Sequence, residues 1–152
     1  MSHTFTCLMA HLVFSTKDRR RFIDDELALR LHPYLGGIAR DLECTALAIG
    51  GVEDHVHMLV TYPAKLAVAD LLRELKANTS KWIHEQFPRR QAFAWQPGYG
   101  AFSVSMSVKP AVSDYIGRQV EHHQQLSLYV VSQGLRPGNY LSPCGLKAEL
   151  CR

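Results

Sequence analysis

Two short apolar runs, residues 44–51 (CTALAIGG) and 54–62 (DHVHMLVTY), stand almost back to back between longer segments of helical periodicity. Runs of this length read as strands, and the glycine-containing turn between them predicts a hairpin. Around that hairpin the periods follow a fixed order. Residues 5–16 (FTCLMAHLVFST) form a mostly apolar strand. Residues 23–43 carry apolar positions at helical spacing behind Asp24 and Asp25 as caps, while Pro33 and the Gly36-Gly37 pair predict a kink or a division of that helix. Residues 66–87 place Val68, Leu71, Leu72, Leu75, Trp82 and Ile83 at helical spacing ahead of Pro88. Residues 98–108 alternate Phe102, Val104, Met106 and Val108 with Ser103, Ser105 and Ser107, a period of two, and a last helix over 110–125 opens with Pro110 in its first turn.

Strand, helix, strand, strand, helix, strand is the split βαβ order. It predicts an α+β chain with a ferredoxin-like four-stranded antiparallel sheet (βαββαβ), helices on one face, and an added C-terminal helix that carries a tyrosine. The first and third strands are then central, and the sheet's other face requires a cover: the last helix, a second subunit or a nucleic acid. A length of 152 residues fits one domain, expected over 1–126, followed by a mostly irregular Gly-, Pro- and Ser-rich extension over 127–152. Hydrophobic residues at 47% and charged residues at 20% set aside a disordered or fibrous chain. No apolar run reaches membrane-spanning length and the start lacks a signal-type segment, so the expectation is a cytoplasmic protein with no membrane partner. Cys7, Cys44, Cys144 and Cys151 have no CxxC spacing and give neither a zinc cage nor a disulfide frame.

His55 and His57 are one residue apart on a predicted strand, so both rings point to the same face. Such a pair is either two polar-face histidines or a two-nitrogen platform for a divalent ion. Asp54 is either an orienter for an imidazole or a turn residue. On the last helix Tyr115, Gln119 and His122 fall at i, i+4 and i+7, which aligns a phenol, an amide oxygen and an imidazole. That stripe is either a polar face with an aromatic anchor or the source of a third ligand. Two histidines and an amide oxygen around Mg²⁺ or Mn²⁺ leave positions for phosphate oxygens while a phenol attacks phosphorus, giving a covalent phosphotyrosine.

Net charge is only +3, but the cations are clustered beside aromatics in KDRRRF and FPRRQAFAW. Lys17, Arg19, Arg20, Arg21, Lys76, Lys81, Arg89 and Arg90 are candidate phosphate contacts or, individually, solvated charges, and Trp95, Tyr99 and Phe102 are base-stacking or packing residues.

Together, HLVFSTKDRRR, GGVEDHVHMLV, LLRELKANTSKWI, WQPGYGAFSVS and YIGRQVEHH, in this order from His11 to His123, resemble the HUH-type single-tyrosine transposases of small bacterial insertion sequences and their REP-associated relatives. The resemblance implies a DNA transposase that cleaves single-stranded, hairpin-containing DNA and rejoins it through a 5′-phosphotyrosine. It implies Tyr115 as nucleophile, His55, His57 and Gln119 as ligands of Mg²⁺ or Mn²⁺, with His122 the alternative third ligand, and a homodimer in which one subunit's tyrosine helix completes the other's histidine site. Two other readings remain at this point: a non-catalytic ferredoxin-like nucleic-acid-binding module, and a small metal-dependent phosphoesterase that uses water in place of Tyr115.

Overall fold

The structure is a computed structural model, and residues 3–119 are described. Four strands form one antiparallel sheet: β1 (Met9–Ser15), β2 (Thr45–Val52), β3 (His55–Thr61) and β4 (Gly100–Ser103), in the order β2-β3-β1-β4. β1 and β3 are central, as the split βαβ pattern requires. Helices α1 (Asp25–Asp41) and α2 (Val68–Gln86) lie on one face. That face supplies Ala10, Leu12 and Phe14 from β1 and Val56, Met58 and Val60 from β3 to the main core, against Leu27, Leu31, Leu35 and Ala39 of α1 and Leu71, Leu72, Leu75 and Ile83 of α2.

α1 is one continuous helix, not the interrupted one predicted from Pro33 and Gly36-Gly37. An interior proline costs about 3 kcal/mol, whereas each buried leucine contributes roughly 1.5–3 kcal/mol. Leu27, Leu31 and Leu35, all at 0% exposure, outweigh the lost hydrogen bond. Asp24 starts the helix, its side chain accepting from the Leu27 amide at 2.9 Å.

The central hairpin also differs from expectation. Gly50 and Gly51 are not in the turn but inside β2, and the two-residue connection is Glu53-Asp54 between Val52 and its partner His55. A register shift at Leu47 sets Ala48 opposite Leu59. β4 is shorter than the alternating run suggested: after Ser103 one more bond, from the Val104 amide to the Met9 carbonyl, continues the ladder, and residues 105–108 then turn into the last helix.

That helix, α3 (Lys109–Gly117), covers the opposite face of the sheet. Val112 and Ile116 pack on Leu59, with Leu47, Ala48, Val104 and Tyr115 around them. Its approach is close because Gly50 has no side chain: a Cβ there would lie 2.2 Å from the Ile116 carbonyl oxygen. The cover that the sheet needed therefore comes from the same chain. The helix was expected to run over 110–125. Regular geometry breaks at Arg118 (φ −105°, ψ 22°), one residue after Gly117, a poor helix former. Residues 120–152, with His122, His123, Tyr129 and the whole 127–152 extension, lie outside the described residues.

Two outcomes follow. Asp24→Ala should lower stability by about 1 kcal/mol at neutral pH. The Leu27 amide does most to hold the Asp24 carboxyl below its ordinary range; burial opposes it, and Arg90 lowers the group further. A carboxylate depressed by folding stabilises fully above its unfolded pKa of about 4 and loses that contribution as pH falls from there through the lower folded value. The wild-type advantage in urea denaturation should thus shrink below about pH 4; an advantage unchanged into stronger acid would contradict the cap assignment. Gly50→Ala should cost about 1–3 kcal/mol, because the methyl collides with α3 backbone. Unaltered urea stability together with unaltered amide-exchange protection of α3 would show that the helix does not sit there.

Candidate active site

Antiparallel pairing fixes which side chains meet. His57 lies between Val13 of β1 and Gly50 of β2, and His55 between Ser15 and Val52. Directly opposed residues share a face, so His11, Val13, Ser15, His55, His57 and Leu59 all face α3, while the intervening Val56 and Met58 enter the main core. His55 and His57 are 4% and 3% exposed, so they belong to a covered site, not to a solvated polar face.

Nδ1 of each ring has a partner among the described residues. The Asp54 carboxylate stands 2.6 Å from His55 Nδ1 and takes 3.0 Å from Arg19 Nε on its other oxygen. Burial alone would raise the Asp54 carboxyl, but the hydrogen bonds and charges of His55 and Arg19 outweigh it and hold the group well below the usual carboxylate range. Asp54 is thus both the turn residue and the orienter that the sequence left as alternatives. An Nδ1–H donated to a carboxylate leaves Nε2 as the lone-pair nitrogen of His55. His57 Nδ1 lies 2.8 Å from Nε2 of His11, a residue that the sequence reading did not single out. The His55 and His57 ring centroids are 5.0 Å apart.

α3 brings the phenol to this pair. The Tyr115 ring stands edge-on to His57 at 5.7 Å between centroids and to His11 at 6.1 Å. Gln119 folds back on the helix end, donating through Nε2 to the Tyr115 carbonyl at 3.1 Å, and is 1% exposed. Its Oε1 is buried with no hydrogen-bond partner among the described residues, and so is His11 Nδ1. A bare buried polar atom costs about 1–3 kcal/mol and calls for an explanation. For Gln119 the chemistry is that of a carbonyl oxygen, a donor suited to a hard cation. Among the described residues no three His, Cys, Asp or Glu side chains converge on a metal position; the Gln119 amide oxygen is a candidate ligand of another donor type, and His122 lies outside the described residues. His11 is kept uncharged by burial, which pushes its pKa down to about 4.

The candidate phosphate contacts divide by location. Lys17, Arg19, Arg20 and Arg21 follow β1 directly, in a loop tied to the His55 turn by Thr16, whose amide donates to the Asp54 carbonyl at 2.9 Å. Within it Arg19 is bound to Asp54, Arg20 lies 4.7 Å over the Phe22 ring, and Arg21 pairs with Glu53 while 82% exposed. Lys17 is exposed. The remaining four are elsewhere. Lys76 donates to the Gln96 carbonyl at 2.8 Å and to the Gly98 carbonyl, anchoring the segment before β4, and burial lowers its pKa. Arg90 binds Asp24, Glu26 and the Phe22 carbonyl, which ties the end of α2 to the start of α1. Lys81 pairs loosely with Glu85 at 3.9 Å, and Arg89 is exposed. Of the aromatics, Trp95 is a packing residue, lying against Phe14 and Phe93 and donating to Thr79 at 2.9 Å; Phe102 lies 6.2 Å from His11, and Tyr99 is 45% exposed.

His11 and Gly50 were missed for the same reason. One histidine in an apolar strand and one glycine near a turn carry no signal until strand register puts both beside His57.

Comparison with known proteins agrees with this geometry. Residues 4–119 match the family described as "Transposase IS200 like". The transposase for insertion sequence element IS200 of Salmonella typhimurium is 28% identical over 137 residues, 84% of this chain and 89% of that protein. The ISDra2 transposase TnpA of Deinococcus radiodurans is 25% identical over 114 residues, 72% of this chain and 81% of that one. Among solved structures, a Deinococcus radiodurans protein described as a transposase superposes with a TM-score of 0.63 at 25% identity, covering 78% of this chain and 95% of that one. A REP-associated tyrosine transposase bound to a REP hairpin shares the fold, with a TM-score of 0.59 at 17% identity, covering 90% of this chain and 89% of that one. With most of its length inside the family match and a tyrosine helix seated over paired strand histidines, the chain belongs to the IS200-like transposase family.

Proposed function

We propose that this chain is a metal-dependent transposase that cleaves single-stranded DNA and transfers the strand through a 5′-phosphotyrosine on Tyr115. The observation that carries the reading is the seating of Tyr115 edge-on to His57, 5.7 Å between centroids, on the sheet face that also holds His55. A nucleophile beside two imidazoles with oriented nitrogens is the arrangement that phosphoryl transfer requires, and binding alone gives no reason for it.

In this reading His55, His57 and Gln119 hold Mg²⁺ or Mn²⁺, with His122 as the other source of the third ligand. The ion supplies Lewis-acid polarisation of a phosphate oxygen. Everything else falls to the chain's own residues. Asp54 keeps His55 in the tautomer with its Nε2 lone pair outward. α3, docked at Gly50, aims the phenol. A phenol has a pKa of about 10 and is a weak nucleophile at neutral pH until a proton is removed. When Tyr115 Oη bonds to phosphorus, the phosphorus bond to the 3′ oxygen breaks. The phenol loses its proton and the departing oxygen gains one. The phosphodiester energy stays in the tyrosyl ester, so another 3′-hydroxyl can attack it and rejoin strands without ATP.

The loop of Lys17, Arg19, Arg20 and Arg21 leads into the turn holding His55, and we assign it the nearest phosphate contacts; Lys81 and Arg89 extend the surface, while Lys76 and Arg90 act first through their internal bonds. The hairpin held by the REP-associated relative supports a hairpin-containing substrate. A homodimer fits the same contacts, because α3 of one subunit can replace α3 of the other on Leu59 and Gly50 without new chemistry. The place of action is the cytoplasm; no helix among the described residues is long and apolar enough to cross a membrane.

Tyr115→Phe should abolish the covalent protein–DNA adduct on a denaturing gel and leave hairpin binding in a mobility-shift assay intact. Chelation by EDTA should abolish the adduct in the unmodified protein, and Mn²⁺ should restore it. An adduct that survives Tyr115→Phe would refute the nucleophile. Metal-dependent cleavage without any adduct would favour a water-using phosphoesterase, and binding without cleavage a non-catalytic module.

A further inference from the structure

We propose that His11 is a positioning residue for the ion site: its Nε2 accepts the Nδ1–H of His57 and so holds the His57 ring with its Nε2 lone pair turned toward the ion. The inference rests on the reading of His57 as a ligand. A neutral imidazole carries one ring proton, and the nitrogen that binds a cation must be the other one. His57 Nδ1 is 2.8 Å from His11 Nε2, so in the ion-bound protein the proton of His57 lies on that contact and His11 Nε2 is the acceptor. His11 must then carry its own proton on Nδ1, a buried atom with no partner among the described residues.

The geometry is that of a support. His11 sits on β1 opposite Leu59, one strand pair along from His57, with its ring inclined at 29° to His57 and 5.1 Å away. Phe102 at 6.2 Å and Tyr115 at 6.1 Å flank it, and at 3% exposure it has little freedom to move. The two ligands are thus held from different sources. His55 is oriented by a carboxylate in its own turn. His57 is oriented across the central strand pair by a neutral acceptor, which fixes direction without adding charge beneath the site. The same imidazole borders the Tyr115 ring, so one buried residue sets the spacing between ligand and nucleophile.

The test is Mn²⁺ affinity, read from the electron paramagnetic resonance signal of the free ion, in the full chain and in His11→Leu and His11→Gln, with thermal melts alongside. The unmodified protein should bind. His11→Leu, which removes the acceptor, should weaken Mn²⁺ by about 10–100-fold, while His11→Gln, which can place an amide oxygen near the same point, should stay near the unmodified value. Equal affinity in all three would overturn the proposal. No binding by the unmodified protein would instead overturn the ligand reading on which it stands. If His11→Leu does not fold, nitrogen-15 NMR of the unmodified protein with diamagnetic Cd²⁺ decides. A protonated His57 Nδ1 with an unprotonated His11 Nε2 supports the proposal; a proton on His11 Nε2 contradicts it.

Discussion

The pairing of β1 with β3 is the constraint from which the rest follows. Side chains alternate across a strand, so one register sends Leu12, Phe14, Val56 and Met58 into the core beneath α1 and α2 and sends His11, His55 and His57 to the other face. A slip by one residue would bury both histidines of β3 among leucines and turn the apolar set toward α3. The hydrophobic demand of the main core therefore fixes the position of the polar site. Stability and chemistry are decided by the same hydrogen-bond ladder, on opposite sides of it.

The second face is finished by α3, and here the chain gives up side-chain volume for proximity. Gly50 pairs with His57, so the gap that admits the Ile116 backbone lies beside the ring that Tyr115 faces. Among the described residues Leu59, Val112 and Ile116 form the buried centre of this small core, against the much larger set beneath α1 and α2. A helix held by so few apolar contacts and one tight backbone approach is less firmly fixed than α1 or α2. That difference suits the role proposed for α3, to present Tyr115 and to be exchanged between the subunits of a dimer.

Much of this was legible in the sequence. The order of periods gave the sheet and its central strands, and the His-Val-His spacing with Tyr115 on a later helix gave the pieces of the site. What periodicity could not supply was decided by tertiary contacts. Three buried leucines carry α1 through Pro33. The glycines near the hairpin turn serve α3 packing instead of the turn. The alternation of residues 98–108 outlasts β4, because the chain has to turn at 105–108 to reach the other face. Clustered cations read as one surface, yet Lys76 and Arg90 are committed to carbonyls and carboxylates inside the fold. His11 was invisible until its partner was known.

The central claim is that the Tyr115 phenol, and no other group, becomes linked to DNA at a site organised by strand histidines. Peptide mapping by mass spectrometry, after incubation with a single-stranded hairpin substrate and Mn²⁺, tests it most directly. The account predicts a nucleotide mass on the peptide that contains Tyr115, and only when the ion is present. A nucleotide on Tyr99 or Tyr129, or an ion-independent adduct, would contradict it.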